Sequence, residues 1–460
     1  MFERYHISLK TVPSRCAPVP KFVIVRADNC INCGKCERAC IYGVHKRSEQ
    51  DQRKMADPVN SLCKNCFRCI GDCPQRALAM MPGPEYGSLG RGIWTPQRIV
   101  TIWSEAETGK IPVFGAGYRG MFAGPGYDGM WTDMSEIVRP TRDGIHGREY
   151  ISTSVDMGRK PEALEFGSDG GLVTKVPPMI ELQVPMLFDT TRLRSVTREM
   201  TLGLARAAKN LKTLMVVPAG SAPDDPGLSG TIVPAYPEGT DVSALSPPNG
   251  VRMVELAHGP DWKSDLKRFR ARFSGVVLGF RLSSGPGIER RVLELAKAGA
   301  DVVHVLFDEQ GHEEGGASPR HAKDSLRAIH KAMVSESLRD ELTVIAGGGI
   351  AAAEHVPKSI ICGADVVALE SALMVAMECR DCITCSLASC PANLSGASAE
   401  WIEGRVCNLV GAWRDQMLEV LGAMGLREVR RLRGELGRAM FYDDVEREAF
   451  SGIEGGGADG

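Results

Sequence analysis

The sequence predicts an α/β protein: an eight-stranded (β/α)8 TIM barrel, preceded by a small cysteine-rich α+β domain and followed by C-terminal helices. Three observations predict it. Eight apolar runs of four to seven residues recur between Val184 and Leu369, most of them separated by helical stretches. Twelve of the fifteen cysteines fall into three quartets, two ahead of these runs and one directly behind them. The seventh run ends in a glycine triplet, Gly347 to Gly349, at a position where such barrels often bind phosphate.

Residues 1–82 carry the first two quartets. Cys30, Cys33, Cys36 and Cys40 have the spacing C-x2-C-x2-C-x3-C, and Cys63, Cys66, Cys69 and Cys73 repeat it before Pro74. In a two-cluster bacterial ferredoxin run the first three cysteines hold one iron-sulfur cube and the fourth reaches the other. One 4Fe-4S cluster is therefore expected on Cys30, Cys33, Cys36 and Cys73, and a second on Cys63, Cys66, Cys69 and Cys40. Zinc rarely uses this three-plus-one rhythm, and disulfides need an oxidising compartment. Ile41 stands where the first run would usually carry proline. The apolar segments Phe22 to Val25 and Ala77 to Met81 are expected to pair as strands.

A Gly and Pro cluster from Met81 marks a domain edge, and residues 83–175 are expected to be a mostly irregular connection packing on the barrel. The barrel itself is assigned to 176–378. Its strands are expected at Val184 to Phe188, Thr213 to Val217, Thr231 to Pro234, Val251 to Leu256, Val276 to Leu282, Asp301 to Leu306, Leu342 to Ala346 and Asp365 to Leu369. Runs such as DVVHVL are nearly continuous, as parallel strands buried on both faces require. Helices are expected at Ser195 to Lys209, Asp261 to Phe273, Pro286 to Ala298, Pro319 to Ser337, Ala351 to Cys362 and Ser371 to Glu378, with none between the second and third strands. An open doubly wound sheet is the structural alternative.

The third quartet, Cys379, Cys382, Cys385 and Cys390, occupies 379–391 and points to a further cluster, 3Fe-4S or 4Fe-4S. Residues 392–450 are expected to form two or three helices, and 451–460 a disordered tail. Cys16, Cys362 and Cys407 are left as ordinary thiols.

The charge balance, 55 Lys and Arg against 57 Asp and Glu, implies no bulk attraction to nucleic acid or anionic membrane. No apolar run approaches the roughly 18 residues of a membrane span, and MFERYHISLK has no apolar signal core, so a cytoplasmic protein is expected.

The triplet Gly347, Gly348 and Gly349, with Glu370 and Ser371 after the eighth strand, is expected to bind the phosphate of a cofactor. FMN fits best, because clusters pass single electrons and a flavin can exchange these for two-electron chemistry. At other strand ends Arg281 is a candidate for the flavin or a substrate carboxylate, and also for a simple acid partner. His304 could be catalytic or a satisfied interior histidine, and His312, Glu313 and Glu314 could act as acids and bases or form a solvated loop.

With these elements in place, the chain resembles the FMN-binding domain of glutamate synthase, in the short archaeal-type branch that carries a ferredoxin module in front. The matching words are RPTRDGIHGREYISTSVDMGRKP (Arg139 to Pro161), GGASP (Gly315 to Pro319), AGGGIAAAEHVPKSIICGADVVALESALM (Ala346 to Met374) and the third cysteine run. Large family members use C-x5-C-x4-C-P for a 3Fe-4S cluster beside FMN, which Cys379, Cys385, Cys390 and Pro391 reproduce. The resemblance implies electron flow from the ferredoxin-type clusters through the third cluster to FMN, and reduction of 2-iminoglutarate to glutamate. It also implies a redox donor protein or an NAD(P)H-oxidising subunit. The sequence carries no glutaminase domain with a nucleophilic cysteine, so ammonia is expected from elsewhere, a glutaminase subunit being one source. Arg281 stands where the family has a lysine, AHGPDWKSD (Ala257 to Asp265) replaces a longer Gly- and Lys-rich loop, and LFDTTRL (Leu187 to Leu193) replaces a glycine-rich turn. These departures set the alternatives: an electron-relay subunit without a substrate of its own, or a flavoenzyme for another amino or imino acid.

Overall fold

A computed structural model describes residues 5–111, 113–114, 117–118, 123–132, 150–161, 163–246, 249–382 and 390–450. Near the N-terminus, β1 (Phe22–Arg26) pairs antiparallel with β2 (Leu78–Pro82), Ile24 opposite Met80. Two short helices, α1 (Lys35–Ala39) and α2 (Arg68–Gly71), follow the central cysteine of each run. The module repeats itself locally: Asn32 and Gly34 flank Cys33 in the left-handed region, as Asn65 and Phe67 flank Cys66. Its own core is small, namely Ile24, Cys36, Val44, Met55, Cys69 and Leu78.

The stretch expected to be mostly irregular contains a thirteen-residue helix, α3 (Pro96–Thr108). Thr95 caps it by accepting from the Arg98 amide, Pro96 opens it, and Gly109 closes it at φ 68°. β3 (Met130–Thr132) follows. The hairpin of β4 (Val155–Gly158) and β5 (Met179–Leu182) then leads into the barrel. Thr343 Oγ1 exchanges hydrogen bonds with the Gly158 backbone, so the hairpin sits against the N-terminal end of the seventh barrel strand.

The barrel is closed. Its strands are β6 (Met186–Asp189), β7 (Met215–Pro218), β8 (Ile232–Tyr236), β9 (Met253–Ala257), β10 (Val277–Ser283), β11 (Val302–Leu306), β12 (Thr343–Gly347) and β13 (Val366–Leu369), each parallel to its neighbour in sequence. β13 returns to β6 through the pair Ala368 and Leu187, which removes the open-sheet alternative. The helices are α4 (Arg198–Asn210), α5 (Trp262–Arg272), α6 (Ile288–Ala298), α7 (Ala322–Ser335), α8 (His355–Cys362) and α9 (Ser371–Ala376). The connections before and after β8 hold only short 3-10 turns, at Pro226–Thr231 and Val242–Ala244. α8 begins four residues later than its sequence pattern suggests, because residues 351–354 form a turn.

Behind the barrel, α10 (Ala399–Ala423) is capped by Ser398 and packs against α3 and α4. The chain then breaks at Gly425 and Gly434, both at positive φ. β14 (Ala439–Phe441) pairs antiparallel with β3 before α11 (Tyr442–Phe450). The expected tail at 451–460 and Cys385 lie outside the described residues. Among the described residues, no helix is long and apolar enough to cross a membrane.

Candidate functional site

In the N-terminal module the folding brings the quartets together in the crossed pattern. Cys30, Cys33, Cys36 and Cys73 line one pocket with Met55, Pro74 and Leu78. Around Cys69, burial and the neighbouring thiols of Cys63, Cys40 and Cys66 push its pKa up to about 11. Each fourth cysteine thus joins the other run, the arrangement that one iron-sulfur cube per group requires.

At the C-terminal mouth of the barrel, side chains of four strands meet. β10 aims Arg281 inward, where Nη1 donates to Glu255 Oε2 of β9 at 2.7 Å and Nη2 donates to Asp189 Oδ2 of β6 at 2.8 Å. The Thr191 hydroxyl accepts a further bond from Nη2 at 2.7 Å. The space for Glu255 comes from Gly279, whose Cβ would lie 3.1 Å from Glu255 Cγ. His304 of β11 points its Nδ1 at Glu255 Oε1, 3.1 Å away. Burial alone would raise Glu255, but His304 and Arg281 outweigh it and hold its pKa at about 2. Arg281 therefore has not only the one acid partner expected of a simple ion pair but two, inside the barrel.

Above this floor, two buried atoms have no hydrogen-bond partner among the described residues: His304 Nε2 and Glu370 Oε1. Both face Gly347, since a Cβ there would lie 2.8 Å from His304 Nε2 and 3.1 Å from Glu370 Oε1. The nearest cation to Glu370 is Arg192, at 3.7 Å. Burial, with Asp189 adding to it, pushes Glu370 up to about 8, which favours the protonated carboxyl. The mouth thus brings a carboxyl oxygen and an imidazole nitrogen side by side, over a glycine whose missing side chain leaves them room.

The other two glycines of the triplet answer to packing as well. A Cβ on Gly348 would lie 2.4 Å from the Phe307 carbonyl, and one on Gly349 would lie 2.4 Å from Gly311 Cα. Their φ values, 98° and 71°, suit glycine. Neither amide donates to another described residue, so both remain available to an anion. Ser371 opens α9 and lines a pocket with Arg91, Trp94, Arg192, Met374, Cys379 and Cys382. That pocket connects the barrel mouth to the third cysteine run. Cys379 is pushed up to about 12 by burial, with Cys390 and Cys382 among the neighbours that raise it further.

The loop residues divide. Glu313 is buried, and its Oε1 accepts from Arg320 Nη2 at 2.7 Å and Ser325 Oγ at 2.8 Å. Though burial opposes it, these partners hold Glu313 below the usual carboxylate range. A carboxylate so committed is a tie for the loop and not a free acid or base, which corrects the catalytic expectation for Glu313. His312 is 41% exposed on the same loop, 3.9 Å from Asp308 and edge-on to His321.

Sequence reasoning passed over Asp189, Glu255 and Thr191. The signal was present: MVELA and MLFD each place one acid in an otherwise apolar strand. It also missed Arg91, which bridges Glu309 of the mouth loop at 3.3 Å and Asp381 of the cysteine run at 3.4 Å.

A sequence profile of the conserved region in glutamate synthase matches residues 234–427. The archaeal glutamate synthase [NADPH] of Archaeoglobus fulgidus is 25% identical, over 95% of this chain and 98% of its own. The archaeal-type glutamate synthase [NADPH] of Thermotoga sp. (strain RQ2) is 25% identical, over 90% of this chain and 93% of its own. A ferredoxin of Pyrobaculum islandicum is 32% identical over 57 residues, which are 12% of this chain and 50% of its own.

Proposed function

Since the chain is related along nearly its whole length to archaeal-type glutamate synthases, we propose that it is an FMN- and iron-sulfur-dependent oxidoreductase of that type. Electrons enter at two ferredoxin-type 4Fe-4S clusters, pass a third cluster on the Cys379 to Cys390 run, and reach FMN and a small imino acid, 2-iminoglutarate in the family case. A reducing compartment, the cytoplasm, suits such clusters. The observation that carries the reading is the pocket lined by Ser371, Cys379 and Cys382 together with Arg192 and Glu309 of the mouth, which supports a cluster on this run close to the flavin.

The residues fit FMN. Gly348 and Gly349 present free amides for the phosphate after the seventh strand, and Ser371 opens the helix after the eighth. Protonated Glu370 can donate, and His304 Nε2 can accept, toward a polar ring lying over Gly347. FMN supplies the exchange between single-electron transfer and two-electron chemistry. Asp189 and Glu255 fix Arg281, and the Glu255 carboxylate favours the His304 tautomer whose Nδ1–H donates to it.

The same geometry favours the relay reading as the second. Where the family uses a lysine beside substrate, Arg281 is already neutralised by two buried carboxylates. Glutamate formation from 2-oxoglutarate, with glutamine or ammonia and a reduced ferredoxin or dithionite, separates the two. Glutamate is expected from protein loaded with iron, sulfide and FMN. Loaded protein that makes none with any donor and nitrogen source rules out the glutamate assignment and leaves the relay.

A further inference from the structure

We propose that His355 is a positioning residue for the glycine turn, held by a buried ion pair from the segment between the N-terminal module and the barrel. The inference rests on the reading of Gly347 to Gly349 as the FMN phosphate turn. His355 opens α8 and is 3% exposed. One face of its ring meets the turn: the Ala351 amide donates to Nδ1 at 3.2 Å, and the Gly349 carbonyl lies 3.2 Å from the same nitrogen. The opposite nitrogen, Nε2, meets residues far away in sequence. It is 3.4 Å from Arg98 Nη2 of α3 and 3.8 Å from Asp128 Oδ1.

Arg98 and Asp128 are themselves buried and joined at 2.5 Å. Arg98 is further anchored by donating Nη1 to the Ile93 carbonyl at 2.8 Å. The ring has no room to swing, because Tyr127 lies against it at 5.2 Å and Ser359 holds the Tyr127 hydroxyl at 2.8 Å. Burial keeps His355 below the ordinary histidine value, hence neutral. A neutral imidazole has one donor and one acceptor nitrogen. Proton on Nδ1 gives the Gly349 carbonyl a donor and leaves Nε2 to accept from Arg98, which ties both ends; proton on Nε2 gives the Ala351 amide an acceptor and leaves Asp128, at 3.8 Å, as a charge neighbour only. Asp128, Glu354 and His355 could also be taken for a cation site, but the Arg98 guanidinium already occupies Asp128.

The tie fixes the peptides on both sides of Ile350, directly after the Gly348 and Gly349 amides, and so anchors the exit of the turn that presents them. Its consequence is specific to phosphate. The test is the affinity of the full chain for FMN and for riboflavin, which lacks the phosphate, read by flavin fluorescence, with melting temperature measured alongside. In His355→Asn the amide sits near the place of Nδ1, and in His355→Gln near that of Nε2. The expected result is a loss of about tenfold in FMN affinity for His355→Gln, one buried hydrogen bond's worth, with riboflavin affinity unchanged. His355→Asn keeps most of the FMN affinity. Asp128→Asn, which alters only the far end, is expected to lose less than His355→Gln and again only for FMN. Equal losses for both flavins with a lowered melting temperature, or no loss for either, overturn the proposal. Wild-type protein that binds riboflavin as tightly as FMN overturns the phosphate-turn reading itself, before any variant is compared.

Discussion

The N-terminal module and the barrel solve the same problem of stability by different means. The barrel closes on itself through eight parallel strands, and its interior is continuous apolar packing with one buried polar floor. The module has a core of six residues, two of them the cysteines Cys36 and Cys69. It also leaves Ile31, Ile41 and Phe67 more than half exposed. Apolar burial of that size cannot offset the ordering of some sixty residues. The difference teaches that the barrel is a scaffold in its own right, whereas the module's small core calls for further ties, which the proposed clusters would supply.

Removing iron should therefore have the largest effect, and a local one. Chelation under reducing conditions is expected to unfold the module, with amide exchange at 22–26 and 78–82 becoming fast while the barrel strands stay protected. Retained protection in β1 and β2 of iron-free protein would break the comparison.

Within the barrel, the polar floor is the vulnerable place. Arg281→Met leaves Asp189 and Glu255 buried without their cation and is expected to cost about 3–5 kcal/mol in denaturant unfolding. Next comes the seam between α3 and α10. Glu105 is fully buried, accepts from Trp413 Nε1 at 2.9 Å and Gln416 Nε2 at 2.6 Å, and is pushed by burial from 4.5 up to about 8. Since its folded value lies above the unfolded one, its contribution is fully present below pH 4.5 and is lost as pH rises toward 8. Stability should fall by roughly 3 kcal/mol between pH 4.5 and 7 from this group, and Glu105→Gln should flatten that slope. Gly348→Ala meets the Phe307 carbonyl and a φ of 98°, and should cost about 1–3 kcal/mol in the barrel's unfolding. Smallest of all, Arg53→Ala in the module removes only an exposed pair with Asp51, and its melting curve should be unchanged within error.

Much of the barrel was legible because strands buried on both faces read as unbroken apolar runs; all eight expected runs overlap the observed strands. That Cys73 would lie with Cys30, Cys33 and Cys36 was legible from the spacing of the two runs. α3 was readable in principle from Thr95, Pro96 and Gly109, but the glycine-rich sequence after it masked the signal. Gly425 and Gly434 likewise announced the end of helix behind α10. The partners of Arg281 and the link from His355 to Asp128 were not legible. They join residues 92 positions apart for Arg281 and Asp189, which closure of the barrel brings together, and 257 apart for His355 and Arg98, which meet because α3 packs on the outside of the barrel.

The central claim is that the Cys379 to Cys390 run connects a metal-held module to a self-standing flavin barrel. Stopped-flow flavin reduction by a ferredoxin-type donor, comparing wild type with Cys379→Ser loaded with FMN and N-terminal clusters, tests it most directly. The account predicts that the flavin band bleaches in wild type and stays in the variant, while the N-terminal clusters are reduced in both. Flavin reduced equally fast in the variant would contradict it.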